Sequence, residues 1–589
     1  MKYSDLIADW LSSMGYTHFF SVGGGNIMHL TESLSRRLIC IPVVNEVAAG
    51  IAVEYFNETS DSGAKALALV TAGPGLTNIV TAIAGAFLES RELLVIGGQA
   101  KTADLARGKL RQRGIQEIDG VSIVKPITVL SELIDVVLTA DRLASKIRAG
   151  SAGRNGPVFL EIPLDIQATK VDPEVLGLKP EALDEELLPH ISAEAIAQVV
   201  ERFNQSSRPV ILLGGGISRK TASRLSHQLA DLGCPIMTTW NASDRIGSQQ
   251  ENYMGRPNTW GQRSSNMILQ QADFLLAIGS RLGLQQTGFN WQQFMPKGVV
   301  IQVELDQAEL DKGHPEVDLR LLGDANQFLE KFCESQLQKH LDWLQFAKDV
   351  RKNIPLTESV NTPRDGYVSP FFLATSLARL SNPSDIIIPC SSGSAFTTMM
   401  QAFEQQPGQL MVTNKGLASM GYGLSGAIGA ALANPARRVI LVEGDGGFSQ
   451  NLQEIGTAAI NQLNLKMFIL DDSGYASIRM TQKNYFGGSY VGCDRQTGLG
   501  LPKWDVLFSA WDVPVVRVKP GYENDPEFLR LFNSDTTCAF IVTIDPEQTY
   551  FPKITSRVTE SGAMESKPLH LMSPDLTEEQ TRLYLKYLN

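Results

Sequence analysis

The chain has 589 residues, 43% hydrophobic and 20% charged, a globular composition long enough for three or four ordinary domains. Its net charge of −11, without a basic block, excludes the usual electrostatic kind of nucleic-acid binder. Six scattered cysteines with no CxxC pair fit neither a zinc site nor a disulfide framework and suggest a reducing compartment. No basic leader precedes an apolar run at Met1, and no stretch approaches 18 uninterrupted apolar residues, so a soluble cytoplasmic protein is expected.

Taken in order, residues 4–14 read as an amphipathic helix, with Leu6, Ile7, Trp10, Leu11 and Met14 on one face. Residues 17–22 read as a strand ending in Gly23, Gly24 and Gly25, which is either a tight turn or backbone approaching a ligand. Val43-Val44 reads as a short buried strand with Asn45-Glu46 at its end, and an Ala-rich helix follows over 47–56. A carboxylate at such a junction favours the helix N-terminus whatever else it does. Thr71-Ala72-Gly73-Pro74-Gly75-Leu76-Thr77-Asn78, Gln99 and Gln116-Glu117 come next. The first domain, 1–175, closes after Glu161-Ile162-Pro163-Leu164-Asp165.

The run from Arg208 to Leu213 is a strand entering a glycine turn, Gly214-Gly215-Gly216. Residues 273–278 with Gly279-Ser280-Arg281, and 299–303 with Asp306, repeat the strand and helix rhythm, so a second α/β domain spans 190–345. A charged, Pro-containing linker leads to a third domain, 365–550, and a tail, 551–589. In the third domain Ile386-Ile387-Ile388 precedes Cys390-Ser391-Ser392-Gly393-Ser394-Ala395, and Gly416-Leu417-Ala418-Ser419-Met420-Gly421 lies further on.

The stretch from Gly444 to Tyr475 is the most informative. The apolar run Val439-Ile440-Leu441-Val442 leads to Glu443-Gly444-Asp445-Gly446-Gly447-Phe448. A helical pattern through Leu452, Ile455, Ala459 and Leu463 follows, and a second apolar run, 467–470, stops at Asp471-Asp472-Ser473-Gly474-Tyr475. A strand, helix, strand unit with a carboxylate beyond each strand brings Asp445 and Asp472 to the rim where open parallel sheets bind ligands. Glycines permit close backbone approach, and two carboxylates with a carbonyl and phosphate oxygens make a hard oxygen cage. The residues alone therefore read as a Mg²⁺–diphosphate site, against the blander reading of two acidic turns.

This stretch resembles the motif of thiamine diphosphate enzymes, a Gly-Asp-Gly followed after one crossover by Asn-Asn, here Asp471-Asp472. The resemblance extends along nearly the whole chain and is to the acetolactate synthase-like type. It implies three doubly wound parallel-sheet α/β domains of the pyruvate oxidase/decarboxylase-like kind: a pyrimidine-binding domain, a central domain, and a diphosphate- and Mg-binding domain. It implies Mg²⁺ ligation by Asp445, Asp472 and the Gly474 carbonyl. Diphosphate and thiazolium contacts fall on Gly393, Ser394, Ala395, Ala418, Ser419, Met420, Gly444, Gly446, Gly447, Tyr475 and Ile478, with Met420 as the wedge between the cofactor's rings. Glu46 takes the place of the glutamate that activates the cofactor, with Asn45 where a histidine is usual. Gly24, Gly25 and Gln116 fall near the reacting carbon. In acetolactate synthases the central domain holds FAD without redox chemistry, and Gly214, Gly215, Gly216 and Arg281 resemble its flavin contacts, although Leu282-Gly283-Leu284 replaces an acidic pair.

The activity implied is decarboxylation of a 2-oxo acid, pyruvate first, and transfer of the acyl unit to a carbonyl acceptor. The segment 475–482, with Thr481 near the place of an indole, resembles carboligases of branched-sugar (yersiniose-type) biosynthesis, so a keto-sugar nucleotide is the expected acceptor. Pyruvate as acceptor, simple decarboxylation and a non-catalytic scaffold are the alternatives. Homodimers or homotetramers are implied, because in this family one site draws on two chains.

Overall fold

The protein is described by a computed structural model covering residues 1–181, 188–558, 562 and 564–588. The chain forms two compact units, one of Met1–Glu186, Ser384–Ala395 and Val412–Thr543, the other of Leu187–Pro383, Phe396–Met411 and Ile544–Asn589. The first and third expected domains thus share a unit.

In the first unit one parallel sheet has the strand order Ile39–Pro42, Tyr16–Ser21, Lys65–Val70, Leu93–Gln99, Pro157–Pro163, Leu130–Leu133. Its central strands are mainly apolar and buried almost throughout, as a sheet covered on both faces requires. The first helix, Tyr3–Ser13, buries Leu6, Ile7, Trp10 and Leu11 against this sheet, while Met14 lies beyond its end. A second parallel sheet orders Ile386–Ile388, Val439–Gly444, Leu465–Asp471, Cys538–Thr543 and Val515–Val518. Between Val439–Gly444 and Leu465–Asp471 the expected helix is broken into a 3₁₀ turn, Leu452–Glu454, and a short helix, Ile455–Ile460.

Two helices join the sheets of this unit. Helix Glu46–Thr59 packs on helix Tyr422–Ala433, and both are rich in Gly and Ala. A Cβ on Gly429 would run into the Ala52 carbonyl oxygen, and one on Gly426 would lie 2.7 Å from the Tyr55 ring. The helices therefore approach backbone to backbone. Beside them, buried Arg91 pairs with buried Glu54 at 2.7 Å and donates to the Thr413 carbonyl, while Asn414 donates to the same glutamate at 3.1 Å.

The expected strand at Val43-Val44 is displaced. The strand is Ile39–Pro42, and Val44 is exposed. The amides of Val44 and Asn45 do not enter a ladder; they donate to the Glu454 carboxylate at 3.0 and 3.1 Å. Glu454 is fully buried and also accepts from the Thr457 hydroxyl at 2.6 Å.

The second unit carries a five-stranded parallel sheet, ordered Leu319–Leu322, Val299–Glu304, Phe274–Ile278, Pro209–Leu213, Ile236–Thr238. The C-terminal segment packs here: Arg263 donates to the carbonyls of Met572 and Pro574, and Gln271 to that of Tyr584. Among the described residues no helix is long and apolar enough to cross a membrane.

Two stability outcomes follow from this packing. Gly429→Ala should cost about 1–3 kcal/mol through overpacking, read as a lower urea midpoint. Glu454→Leu, which leaves two amides without their acceptor, should cost about 1–3 kcal/mol in the same assay.

Candidate active site

Asp445 is the first residue of the short helix that follows strand Val439–Gly444, and Asp472 follows strand Leu465–Asp471. The sheet brings them together, since the two strands pair in parallel with Gly444 opposite Leu470. Both carboxylates are buried, and both accept from one amide, the N–H of Gly474, each at 3.1 Å. Asp445 also accepts from the Gly446 amide at 2.7 Å. Burial, then the neighbouring Asp472 and Asp471, hold Asp445 well above the usual carboxylate range. Burial likewise raises Asp472, opposed by the guanidinium of Arg479. Arg479 lies 3.1 Å from the Asp472 carboxylate and donates to the Asp472 carbonyl. Two buried carboxylates that repel each other beside a glycine-rich turn are the donor chemistry a hard divalent cation satisfies, so the residues fit Mg²⁺.

Gly446 has no room for a side chain, because a Cβ would strike the ring of Tyr475. Two further loops flank this turn. One holds Cys390 and Gly393 at φ 46° and 79°, the other Ala418 and Gly421 at φ 55° and 84°. Left-handed backbone at two non-glycine residues is strain of the kind found at binding sites. Ser391 ties the loops by donating to the Ser419 carbonyl, and Thr413 donates to that of Cys390. The Ser394 hydroxyl lies 3.4 Å from that of Ser477, and Ala395 is buried. Met420 is 37% exposed and Ile478 47%, so neither fills the core; Gln450 lies 3.7 Å from the Met420 sulfur. Gly444 ends the strand as the N-cap of this short helix, and Gly447 lies within it.

Glu46 opens helix Glu46–Thr59, with Asn45 as its cap, the Asn45 side chain accepting from the Val47 amide. The Glu46 carboxylate is nearly buried and accepts from Asn78 at 2.9 Å. A Cβ on Gly75 would lie 3.4 Å from that carboxylate, and one on Gly24 would clash with Thr71, so these loops close tightly around it. Gly25 begins a 3₁₀ turn. Gln116 is exposed at φ 59°, and its carbonyl lies against Gly73. Glu117 instead binds the amides of Ala106, Arg113 and Gly114, which makes it a staple for its own loop. Gln99 is buried and donates to the Ile118 carbonyl.

In the second unit Gly214 and Gly216 interlock with the turn after Phe274–Ile278: their amides donate to Ile278 and Gly279, and a Cβ on Gly214 would strike Gly279. Gly215 is exposed, Arg281 half-buried. Nearby chain buries polar atoms without partners, among them Arg256 Nε and Nη1, Asn258 Nδ2, Gln286 Oε1 and Gln302 Oε1. Gln302 donates its amide to Ser280, and Gln286 to Pro257, so the orphaned atoms border the same turns. These atoms are sealed inside the protein, whereas the exposed Gly215 backbone and the half-buried Arg281 guanidinium are the groups here whose chemistry fits the phosphates of a nucleotide.

Sequence reasoning assigned no role to Glu454, Arg479, Asn78 or Arg256. Glu454 and Arg479 carried no local signal, since Asn451 and Gln453 precede the one and Thr481, Gln482 and Lys483 follow the other, and only the fold gives them buried partners.

Three profiles match the chain: thiamine pyrophosphate enzyme, N-terminal TPP binding domain, over residues 1–123; the central domain over 196–332; and the C-terminal TPP binding domain over 391–542. Among curated proteins the chain is 28% identical to acetolactate synthase isozyme 1 large subunit of Escherichia coli K12, covering 94% of this chain and 95% of the relative. It is 27% identical to the isozyme 2 large subunit of the same organism, covering 94% and 98%. Acetolactate synthase of Mycobacterium bovis is 27% identical over 83% of this chain and 78% of its own length. With the three profiles in order on three parallel sheets, the chain belongs to the thiamine pyrophosphate enzymes, of the acetolactate synthase-like type.

Proposed function

We propose that the protein is a thiamine diphosphate- and Mg²⁺-dependent carboligase that decarboxylates a 2-oxo acid, pyruvate first, and passes the acyl unit to a carbonyl acceptor. The observation that carries this reading is the meeting of Asp445 and Asp472 at the Gly474 amide. When bound, thiamine diphosphate supplies the nucleophilic carbon and the electron sink for decarboxylation. Asp445, Asp472 and the Gly474 carbonyl hold the metal. Gly393, Ser394, Ala395, Gly444, Gly446 and Gly447 offer backbone and hydroxyl groups to the diphosphate, while Ala418, Ser419, Met420, Tyr475 and Ile478 shape the ring pocket. Glu46 holds a proton toward the pyrimidine ring, and the Asn78 amide fixes its carboxylate for that task. Gly24, Gly25 and Gln116 border the reacting carbon. FAD sits on Gly214, Gly215, Gly216 and Arg281 as a structural group.

The names of the relatives favour a second 2-oxo acid as acceptor, giving an acetolactate-type product. A bulkier ketone, such as a keto-sugar nucleotide, is supported by one local feature. Helix Ala476–Tyr485 presents Ser477 and Thr481, both small, with Thr481 exposed and its hydroxyl donating to Ser477. The resemblance to enzymes whose site spans two chains supports a homodimer or homotetramer; full activity from a monomer in light scattering would contradict it.

Glu46→Gln should bind thiamine diphosphate yet lose at least about a hundredfold in pyruvate consumption, in line with the usual worth of general acid–base catalysis. Wild-type turnover by this variant would overturn the role of Glu46. Purified protein should be yellow and release flavin on denaturation; colourless protein that is fully active without added FAD would make the central domain purely structural. Mass analysis of the product formed from pyruvate with and without a bulky ketone identifies the acceptor. Thr481→Trp should lower the ratio of ligation product to carbon dioxide for the bulky ketone by about tenfold or more, since even one methylene changes pocket preference by about 1–3 kcal/mol. An unchanged ratio would remove the case for the sugar acceptor.

A further inference from the structure

Where the thiamine diphosphate motif has Asn-Asn, this chain has Asp471-Asp472, which adds negative charge beside a diphosphate. The structure supplies a counter-charge for the second aspartate. Arg479, on helix Ala476–Tyr485, is 8% exposed and Asp472 is 7% exposed. Arg479 Nη2 lies 3.1 Å from Asp472 Oδ1 and 3.1 Å from the Asp472 carbonyl oxygen, so one nitrogen grips both ends of that residue. The guanidinium also lies against the turn itself, since a Cβ on Gly474 would be 2.7 Å from Nη1. Its Nε is buried without a hydrogen-bond partner. Asp471 is treated differently. It is half-buried, and Arg517, 4.0 Å away, is engaged mainly by Asp505.

We propose that Arg479 is a positioning residue of the metal site, and that Asp472 and Arg479 work as one neutral unit in place of the usual asparagine. This rests on the metal and cofactor reading given above. An asparagine offers a metal one neutral oxygen and needs no counter-ion. An aspartate offers the same oxygen but brings a unit charge into a buried site that already holds Asp445. Pairing one carboxylate oxygen with Arg479 cancels that charge and leaves the other oxygen free to face the metal. The grip on the Asp472 carbonyl and the contact with Gly474 hold the turn in place, so that the side-chain oxygen and the Gly474 carbonyl stay in register. Removing either partner of a buried ion pair strands a charge, whereas replacing both with neutral groups is often tolerated.

The test is a double-mutant cycle with Asp472→Asn, Arg479→Gln and the double variant, in the full-length chain. Thiamine diphosphate affinity is measured by calorimetry at saturating Mg²⁺, and the melting temperature of each apo protein is measured alongside. Each single variant should lose affinity by about tenfold or more, and the double variant should recover most of that loss where additivity would give a loss of about a hundredfold, a coupling approaching a hundredfold and within the range for residues in contact. Independent, additive losses would overturn the proposal, as would coupling that appears in the melting temperatures but not in cofactor affinity. If Arg479→Gln fails to fold, Asp472→Asn decides alone: it should lose affinity although it restores the family residue, and wild-type affinity would overturn the pair. Binding by the wild-type chain separates the two levels. No binding there overturns the functional reading and this proposal with it, whereas wild-type binding with additive losses overturns this proposal alone.

Discussion

Two carboxylates meeting at one backbone amide is the constraint on which the site depends. Asp445 and Asp472 are carried there by adjacent parallel strands, so neither can turn away without disturbing the sheet. Two unit charges 4 Å apart repel by about 4 kcal/mol at an effective dielectric constant near 20, and burial removes the water that would otherwise soften this. The fold answers with the Gly474 and Gly446 amides and with Arg479, but these leave Asp445 held well above its ordinary range. A divalent cation, if bound by both carboxylates, would resolve the conflict directly. Side chains are excluded around it for packing reasons as well: Gly446 lies under the Tyr475 ring, and Gly474 lies against Arg479 and the Cys493 carbonyl.

The second constraint is the placing of Glu46. Its helix is fixed at three levels. Asn45 caps the first turn, Glu454 takes the two preceding amides, and the Gly- and Ala-rich contact with helix Tyr422–Ala433 sets the helix axis. The last two come from the part of the chain that matches the C-terminal TPP binding domain. The same packing that makes the two sheets one unit therefore also sets where the Glu46 carboxylate stands. This explains why an element boundary near Glu46 is decided by a residue some four hundred positions away.

That distance is also why part of the fold was not legible in the sequence. Strand, turn and carboxylate at 439–475 were legible because each is a local pattern: an apolar run, a glycine, and an acid where the run ends. Val43-Val44 looked like a strand because β-branched residues usually pair, yet their amides were already claimed by Glu454, and no local rule reveals a partner so remote. The expectation of three parallel sheets matches the three parallel sheets among the described residues, whereas their grouping into two units depends on helix contacts between distant segments. The orphaned polar atoms around Arg256 and Gln302 were invisible for the same reason, since burial is a property of the folded chain.

Departures from a motif mean little until their partners are known. Asn45 in place of a histidine is also a helix cap, and Asp472 in place of an asparagine meets Arg479. The missing acidic pair after Arg281 can be treated in the same way. Leu282 there is buried at φ 49°, and Lys312, itself paired with Glu309, donates to the Arg281 carbonyl, so a carboxylate still stands beside the turn but comes from helix Gln307–Asp311. The Arg281 side chain is half-buried, and Gly283 and Leu284 after it carry no charge. A nucleotide held at this turn would meet the Arg281 guanidinium, with the nearby Glu309 carboxylate already paired to Lys312. Losing the acidic pair therefore removes a repulsion for a diphosphate while leaving its cationic contact in place, and so does not by itself argue against flavin binding.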